Sequence, residues 1–178
     1  MTTFEFISVF IAIIFGLSLA HLLTGAMHNL FHGKLGFERG AYLLFLTVVI
    51  IAQWWTFFRW RSVEAWSFDA FSVLVAWALN IFAMPVALYP PGGEVHDALP
   101  HRRTLLTLLI AMCVLDVAQT ALLGDLFEPW YYLLFLGHYA AFAALALLIQ
   151  NNRFHKAVAA YFALSIVAWV FIVRRFLT

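Results

Sequence analysis

Six apolar stretches of membrane-spanning length, separated by short polar breaks, leave this chain few ways to fold. They run Phe4–Met27, Ala41–Phe58, Phe71–Tyr89, Thr104–Leu123, Pro129–Gln150 and Ala157–Val173. A bilayer core about 30 Å thick takes about 20 apolar residues per helix. Inside it the backbone must satisfy its own hydrogen bonds, which a helix does. The expected fold is all-α, a polytopic membrane helical bundle of six transmembrane helices in a single domain over residues 1–178. The breaks "HGKLGFERG", "RWRSVEAWSFD", "PPGGEVHDALPHRR", "GDLFE" and "NNRFHK" read as loops, several of them marked by glycine or proline. Pro90-Pro91-Gly92-Gly93 ends the third span, and Pro129 suits the first turn of the fifth. Composition agrees: 65% of residues are hydrophobic and 11% charged. A soluble domain could not hide that much apolar surface from water. No basic region precedes the first span, which outruns a signal peptide's apolar run, so it reads as a retained helix.

Six spans put both termini on one membrane side, side A, together with the second and fourth loops. Side B carries Lys34, Arg39, Arg102, Arg103, Arg153 and Lys156, whereas side A carries Arg59, Arg61, Arg174 and Arg175. The positive-inside rule makes side B cytoplasmic and places the N- and C-termini outside. Trp54, Trp55, Trp60, Trp66, Trp130, Tyr131 and Tyr132 crowd side A as an interfacial belt. A net charge of +1 gives nucleic acid no basic surface to hold. The single cysteine, Cys113, excludes an internal disulfide and a cysteine-based zinc site.

Two short matches hint at duplication. "YLLFL" starts at Tyr42 and again at Tyr132, and "FSVLVAW" (Phe71–Trp77) echoes "FALSIVAW" (Phe162–Trp169). Three helices per half would give two inverted three-helix repeats, an arrangement that places a transport site near the midplane. In a chain so rich in Leu, Phe and Ala, chance yields such matches too.

Polar side chains within spans are costly and point to function by default. His21, Gln53, Asn80, Asp116 and His138 are the candidates for an intramembrane polar path. Asp116 is the only acid deep in any span, and Gln119 and Thr120 extend its helix face as a polar stripe. His138, on the helix after a short loop, is its expected partner. The competing reading is interhelical glue, worth about 0.6 kcal/mol per bond. Haem between His21 and His138 fits poorly, because the two differ by about 9 Å in depth.

Histidines gather on side B. His28 and His32 have the i, i+4 spacing that lets two imidazoles share a metal, and with His21 they fall within about 40° of one helix face. "EVHDALPH" adds Glu94, His96, Asp97 and His101, and His155 and Glu38 lie on the same side. His28, His32, His96 and His101 are therefore candidate ligands for Zn or Fe. A pH-sensing role fits the same cluster, as does a plain preference of histidine for the interface. No nucleotide loop, nucleophile elbow or His-Glu-x-x-His occurs, so no enzymatic reaction is signalled.

Ser8, Ala12, Gly16, Ala20 and Thr24 recur every four residues in the first span as a small-xxx-small ridge. Such a helix-packing seam admits a close neighbour, inside the bundle or between copies of a homo-oligomer. The stretches "GLSLAHLLTG", "WWTFFRWR" followed by "WSFDAF", "ALYPP", "HRR" and "NNRFH" resemble a widespread, uncharacterised group of small six-span bacterial integral membrane proteins. That resemblance implies six spans and a bacterial membrane, and no activity. Three functions fit the residues. The first is an oligomeric protein passing a proton, ion or small solute through Asp116 and His138. The second is a membrane anchor or accessory subunit that docks a protein partner on side B. The third is a His-rich metal-binding membrane enzyme.

Overall fold

Each apolar stretch becomes a helix in the computed structural model, which describes residues 2–63, 65–91, 99, 101–127 and 129–172. The helices are α1 (Thr3–Phe31), α2 (Phe37–Phe57), α3 (Phe68–Leu88), α4 (Arg102–Leu122), α5 (Tyr132–Leu148) and α6 (Asn152–Ile172). A 3-10 turn, Phe58–Ser62, prolongs α2. Two starts follow capping chemistry. Thr2 and Glu5 form a reciprocal capping box on α1, and the Ser67 side chain accepts from the Ala70 amide at the start of α3.

Five of the six helices are long and apolar enough to cross a membrane. The fifth span is shorter than its sequence: Pro129–Gln150 reduces to a helix of 17 residues. The Tyr132 amide donates to the Pro129 carbonyl in a turn before the helix, and Ile149 is already extended at φ −92°. Even so α5 runs the length of its neighbour. Tyr132 lies beside Asp116 and Thr120 near the end of α4, while Leu147 and Ile149 line a cavity with Arg102 and Leu106 at its start.

Neighbours follow the ring order α1, α3, α4, α5, α6, α2, which closes back on α1. Packing differs between the halves: α1 lies broadly against α3, whereas α4 lies against α5 and barely meets α6. The expected pair of inverted repeats is thus not reproduced in the helix contacts, and the short sequence echoes do not carry a shared packing scheme.

The core is aromatic. Phe45 packs on Tyr139 and Phe162 with ring centroids 5.8 and 5.6 Å apart, and Phe15 meets Trp77 edge-on at 5.2 Å. The outside is equally apolar: Phe6, Ile13, Leu17, Leu79, Val114, Leu134 and Leu164 all face outward. Lipid accounts for a surface of that kind.

α1 buries Ile7, Ile11, Ile14, Phe15, Ser18, Leu22, Ala26 and Asn29. The small-residue ridge lies off this face. Ser8 and Ala12 are half-buried and Gly16, Ala20 and Thr24 are exposed, so the ridge is not a seam within the bundle. Large aliphatic and aromatic residues remove more apolar area and take the core-facing positions instead.

Polar ties fasten the helices. Pro85 lies inside α3 and has no amide hydrogen, which frees the Ile81 carbonyl four residues earlier. Ser18 of α1, fully buried, donates its hydroxyl to that carbonyl at 3.3 Å. On side B, Arg102 makes a bidentate pair with Glu38 (Nε–Oε1 2.8 Å, Nη2–Oε2 2.7 Å), joining the starts of α4 and α2. Arg39 donates to Asn29 Oδ1 at 2.5 Å and covers the Tyr89 ring, 5.8 Å from its centroid. Tyr89 in turn lies directly over Gly25, where a Cβ would come within 2.4 Å of the ring.

That approach separates two glycines of one helix. Gly25→Ala is expected to lower stability in detergent by about 1–3 kcal/mol, because Tyr89 must move. Gly16 has nothing within 4 Å of its missing Cβ, so Gly16→Ala is expected to leave the unfolding midpoint unchanged or slightly higher. Thermal unfolding followed by tryptophan fluorescence checks both.

Candidate functional site

The best-built polar site lies around Asp116, six residues before the end of α4 and only 7% exposed. The 3.6-residue period puts Gln119 and Thr120 on the same helix face, and the structure turns that stripe toward α2 and α5. Asp116 Oδ1 accepts from Gln119 Nε2 at 2.6 Å and from Gln53 Nε2 of α2 at 3.2 Å. Oδ2 accepts from the Tyr132 hydroxyl of α5 at 2.7 Å. Tyr132 also lies 3.0 Å from the Asp116 carbonyl and 2.9 Å from the Thr120 hydroxyl. Thr56, one turn beyond Gln53, donates to Gln53 Oε1 at 3.1 Å. Five side chains from three helices thus orient one carboxylate, directly or through one intermediary.

A cavity of about 70 Å³ adjoins this network. Gln53, Thr56, Asp116, Gln119, Thr120 and Tyr132 supply its polar wall, and aromatic rings, among them Phe135, Tyr139 and Trp169, share the rest with aliphatic side chains. A water needs about 10–15 Å³ of such volume, so the space suits a few waters or a small polar ligand. Arg59 also lines it, and its guanidinium pairs with Asp125 at 2.6 Å. Gly124, at φ +81°, ends α4 in the left-handed conformation that brings the chain round to Asp125. The pair is partly solvated, at 27% and 48% side-chain exposure, and so fixes geometry more than it adds stability.

The sequence candidates divide. Asp116 and Gln53 meet. His138 does not join them: its ring packs against Phe135, Tyr139 and Tyr161, at 5.2, 4.1 and 5.7 Å, and its buried Nε2 has no hydrogen-bond partner among the described residues. The expected Asp116–His138 pair is therefore replaced by Asp116–Tyr132. Tyr132 opens α5 at the level of Asp116, whereas His138 follows almost two turns later. Asn80 donates to the Leu108 carbonyl at 3.0 Å and pins α3 to α4. His21 Nε2 lies 2.7 Å from the Tyr89 carbonyl and joins α1 to the end of α3. His21 and His138 stand on α1 and α5, which are not neighbours in the ring.

The described side-B histidines lie as two separate pairs. His28 and His32 are exposed, with ring centroids 4.4 Å apart, and His32 Nδ1 lies 2.7 Å from the His28 carbonyl. His101 lies at the start of α4 beside Arg102 and His155, and His96 falls outside the described residues. Among the described residues no three His, Cys, Asp or Glu side chains form a group able to hold a metal. Helix α1 does not border α4 in the ring, which is why its histidine pair and His101 do not converge.

Sequence reasoning passed over Tyr132 and Thr56. Tyr132 counted as an interfacial aromatic, but helix-hairpin arithmetic exposes it: the first residue of α5 must face the last turns of α4. Thr56 follows Gln53 at i+3, the spacing at which helix side chains meet. Compared with known protein families, curated proteins and solved structures, the chain matches none.

Tyr132→Phe removes the donor to Asp116 Oδ2 without changing ring volume. It is expected to cost about 0.6–1.7 kcal/mol, the range for interhelical hydrogen bonds in membranes. Combined with Asp116→Asn in a double-mutant cycle read by thermal unfolding, the two effects are expected to be non-additive.

Proposed function

We propose that this integral membrane protein binds a proton or small cationic solute at Asp116 and passes it across the bilayer. One observation carries this reading: a carboxylate within a membrane-spanning helix, held from three sides by Gln53, Gln119 and Tyr132, forms part of a cavity wall. A polar site of this kind is costly in lipid and marks ion and proton paths. Bonds serving only as glue need no adjoining space.

In this reading Arg59 and Asp125 form the side-A mouth, and their ion pair opens or closes the approach to the carboxylate. A small cationic solute satisfies the carboxylate charge, while the aromatic wall of Phe135, Tyr139 and Trp169 gives it cation–π surface. The excess of Lys and Arg on side B favours that side as the cytoplasmic face of a bacterial inner membrane. The outward small residues Gly16, Ala20 and Thr24 favour assembly with a second copy, which leaves room for a path along a subunit boundary.

Proteoliposomes enclosing a pH-sensitive dye test the proposal under an imposed potential, with methylammonium as the second probe. Wild-type vesicles are expected to conduct one of the two, and Asp116→Asn to abolish the flux while leaving assembly intact. Asn80→Ala, which loosens only the α3–α4 pin, is expected to retain it. Flux unaffected by Asp116→Asn overturns the proposal. Absence of any flux together with a stably co-purifying protein favours the accessory-subunit reading instead.

A further inference from the structure

A second cavity, of about 400 Å³, lies at the opposite end of the bundle where α4 and α6 begin and α5 ends. Its polar lining is His101, Arg102, Arg103, Thr104, Gln150 and His155. Among the described residues no acid is part of that lining. Leu106, Ala146, Leu147 and Ile149 form its apolar wall toward the membrane interior.

Several independent features give this cavity an unbalanced positive character. α4 is 21 residues long, its N-cap His101 makes no side-chain cap bond, and Arg102, Arg103 and Thr104 of its first turn line the cavity. Arg102 is already neutralised by Glu38, which holds its guanidinium from behind, and Asn152 Oδ1 lies 3.4 Å from its Nη1. Arg103 is exposed beside it and has no ion pair among the described residues. His155 is the decisive group. It is 4% exposed, lines the cavity, and its Nδ1 is buried without a hydrogen-bond partner among the described residues. A buried imidazole nitrogen left unpaired costs free energy unless something arrives to meet it.

We infer that this cavity is a phosphate-group site, filled by the headgroup of an anionic phospholipid or by a soluble phosphate. A tetrahedral phosphate has oxygens enough for the α4 amides, the Arg103 guanidinium and the His155 ring at once. A basic pocket between transmembrane helices at the membrane surface is the setting in which lipid phosphates bind. Leu147 and Ile149 stand where the first carbons of an acyl chain would descend, which a free phosphate does not need.

Native mass spectrometry of the full-length protein in mild detergent tests the site. Phosphatidylglycerol and phosphatidylcholine are offered at equal concentration, and inorganic phosphate and glycerol phosphate are offered as competitors. Phosphatidylglycerol is expected to be retained over phosphatidylcholine. Arg103→Gln is expected to weaken that retention about fivefold, the worth of one basic residue near an anionic surface. His155→Gln is expected to weaken it too, while Arg153→Gln, an exposed cation of the same end outside the cavity, is expected to change nothing. Arg103 is exposed, so its variant reports on binding even where the His155 variant folds poorly. Displacement by millimolar inorganic phosphate assigns the site to soluble phosphate, and resistance to it assigns the site to lipid. Equal retention of the two lipids with no phosphate bound, or equal loss in the Arg153 variant, overturns the inference.

Discussion

A polar group surrounded by hydrocarbon has no water to fall back on, and the architecture follows from how this chain meets that constraint. Helices satisfy most of the backbone, and several further polar groups bond across helix boundaries. Ser18 answers the Ile81 carbonyl, Asn80 the Leu108 carbonyl, His21 the Tyr89 carbonyl, and Gln53 reaches Asp116. Each bond is modest in energy. Together they fix which helices are neighbours, a choice that interchangeable apolar surfaces leave open.

The two ends of the bundle solve the problem differently. On side B, charged residues are tied closely: Glu38 with Arg102, Arg39 with Asn29, and the Arg39–Tyr89 stack seated on Gly25. On side A the polar groups surround a space. Side B is the fastened end, yet it holds the larger cavity, about 400 Å³ against about 70 Å³ on side A. Arg102 connects the fastened end to the basic cavity, because the pair that anchors α4 to α2 also presents the start of α4.

Much of the helical architecture was legible in the residues, because apolar length and loop punctuation are local properties. The limits of α5 were not: Tyr131 and Ile149 are as apolar as their neighbours, and only the turn at Pro129 and the extended backbone at Ile149 end the helix. For the site, Asp116 stood out as a lone acid, and Gln119 and Thr120 followed from helical periodicity. Its true partner on α5 did not, since a tyrosine among apolar residues looks like packing while a histidine looks like chemistry. Which way the small-residue ridge faces was not legible either. Spacing defines a helix face, but the direction of that face depends on which side carries Ile11, Phe15 and Leu22. Convergence of the histidines depends on helix order in the ring, which spacing along the chain does not encode.

The bond between Ser18 and the Ile81 carbonyl exists because Pro85 vacated that carbonyl, so the two positions share one fate. With an alanine at 85 the helix closes its own bond, and the serine hydroxyl becomes a buried group in search of a partner. With an alanine at 18 the proline leaves an orphan carbonyl in lipid. Either change alone is harmful, and the two together restore a dry, satisfied boundary between α1 and α3. A related chain lacking the proline is expected to lack the serine as well.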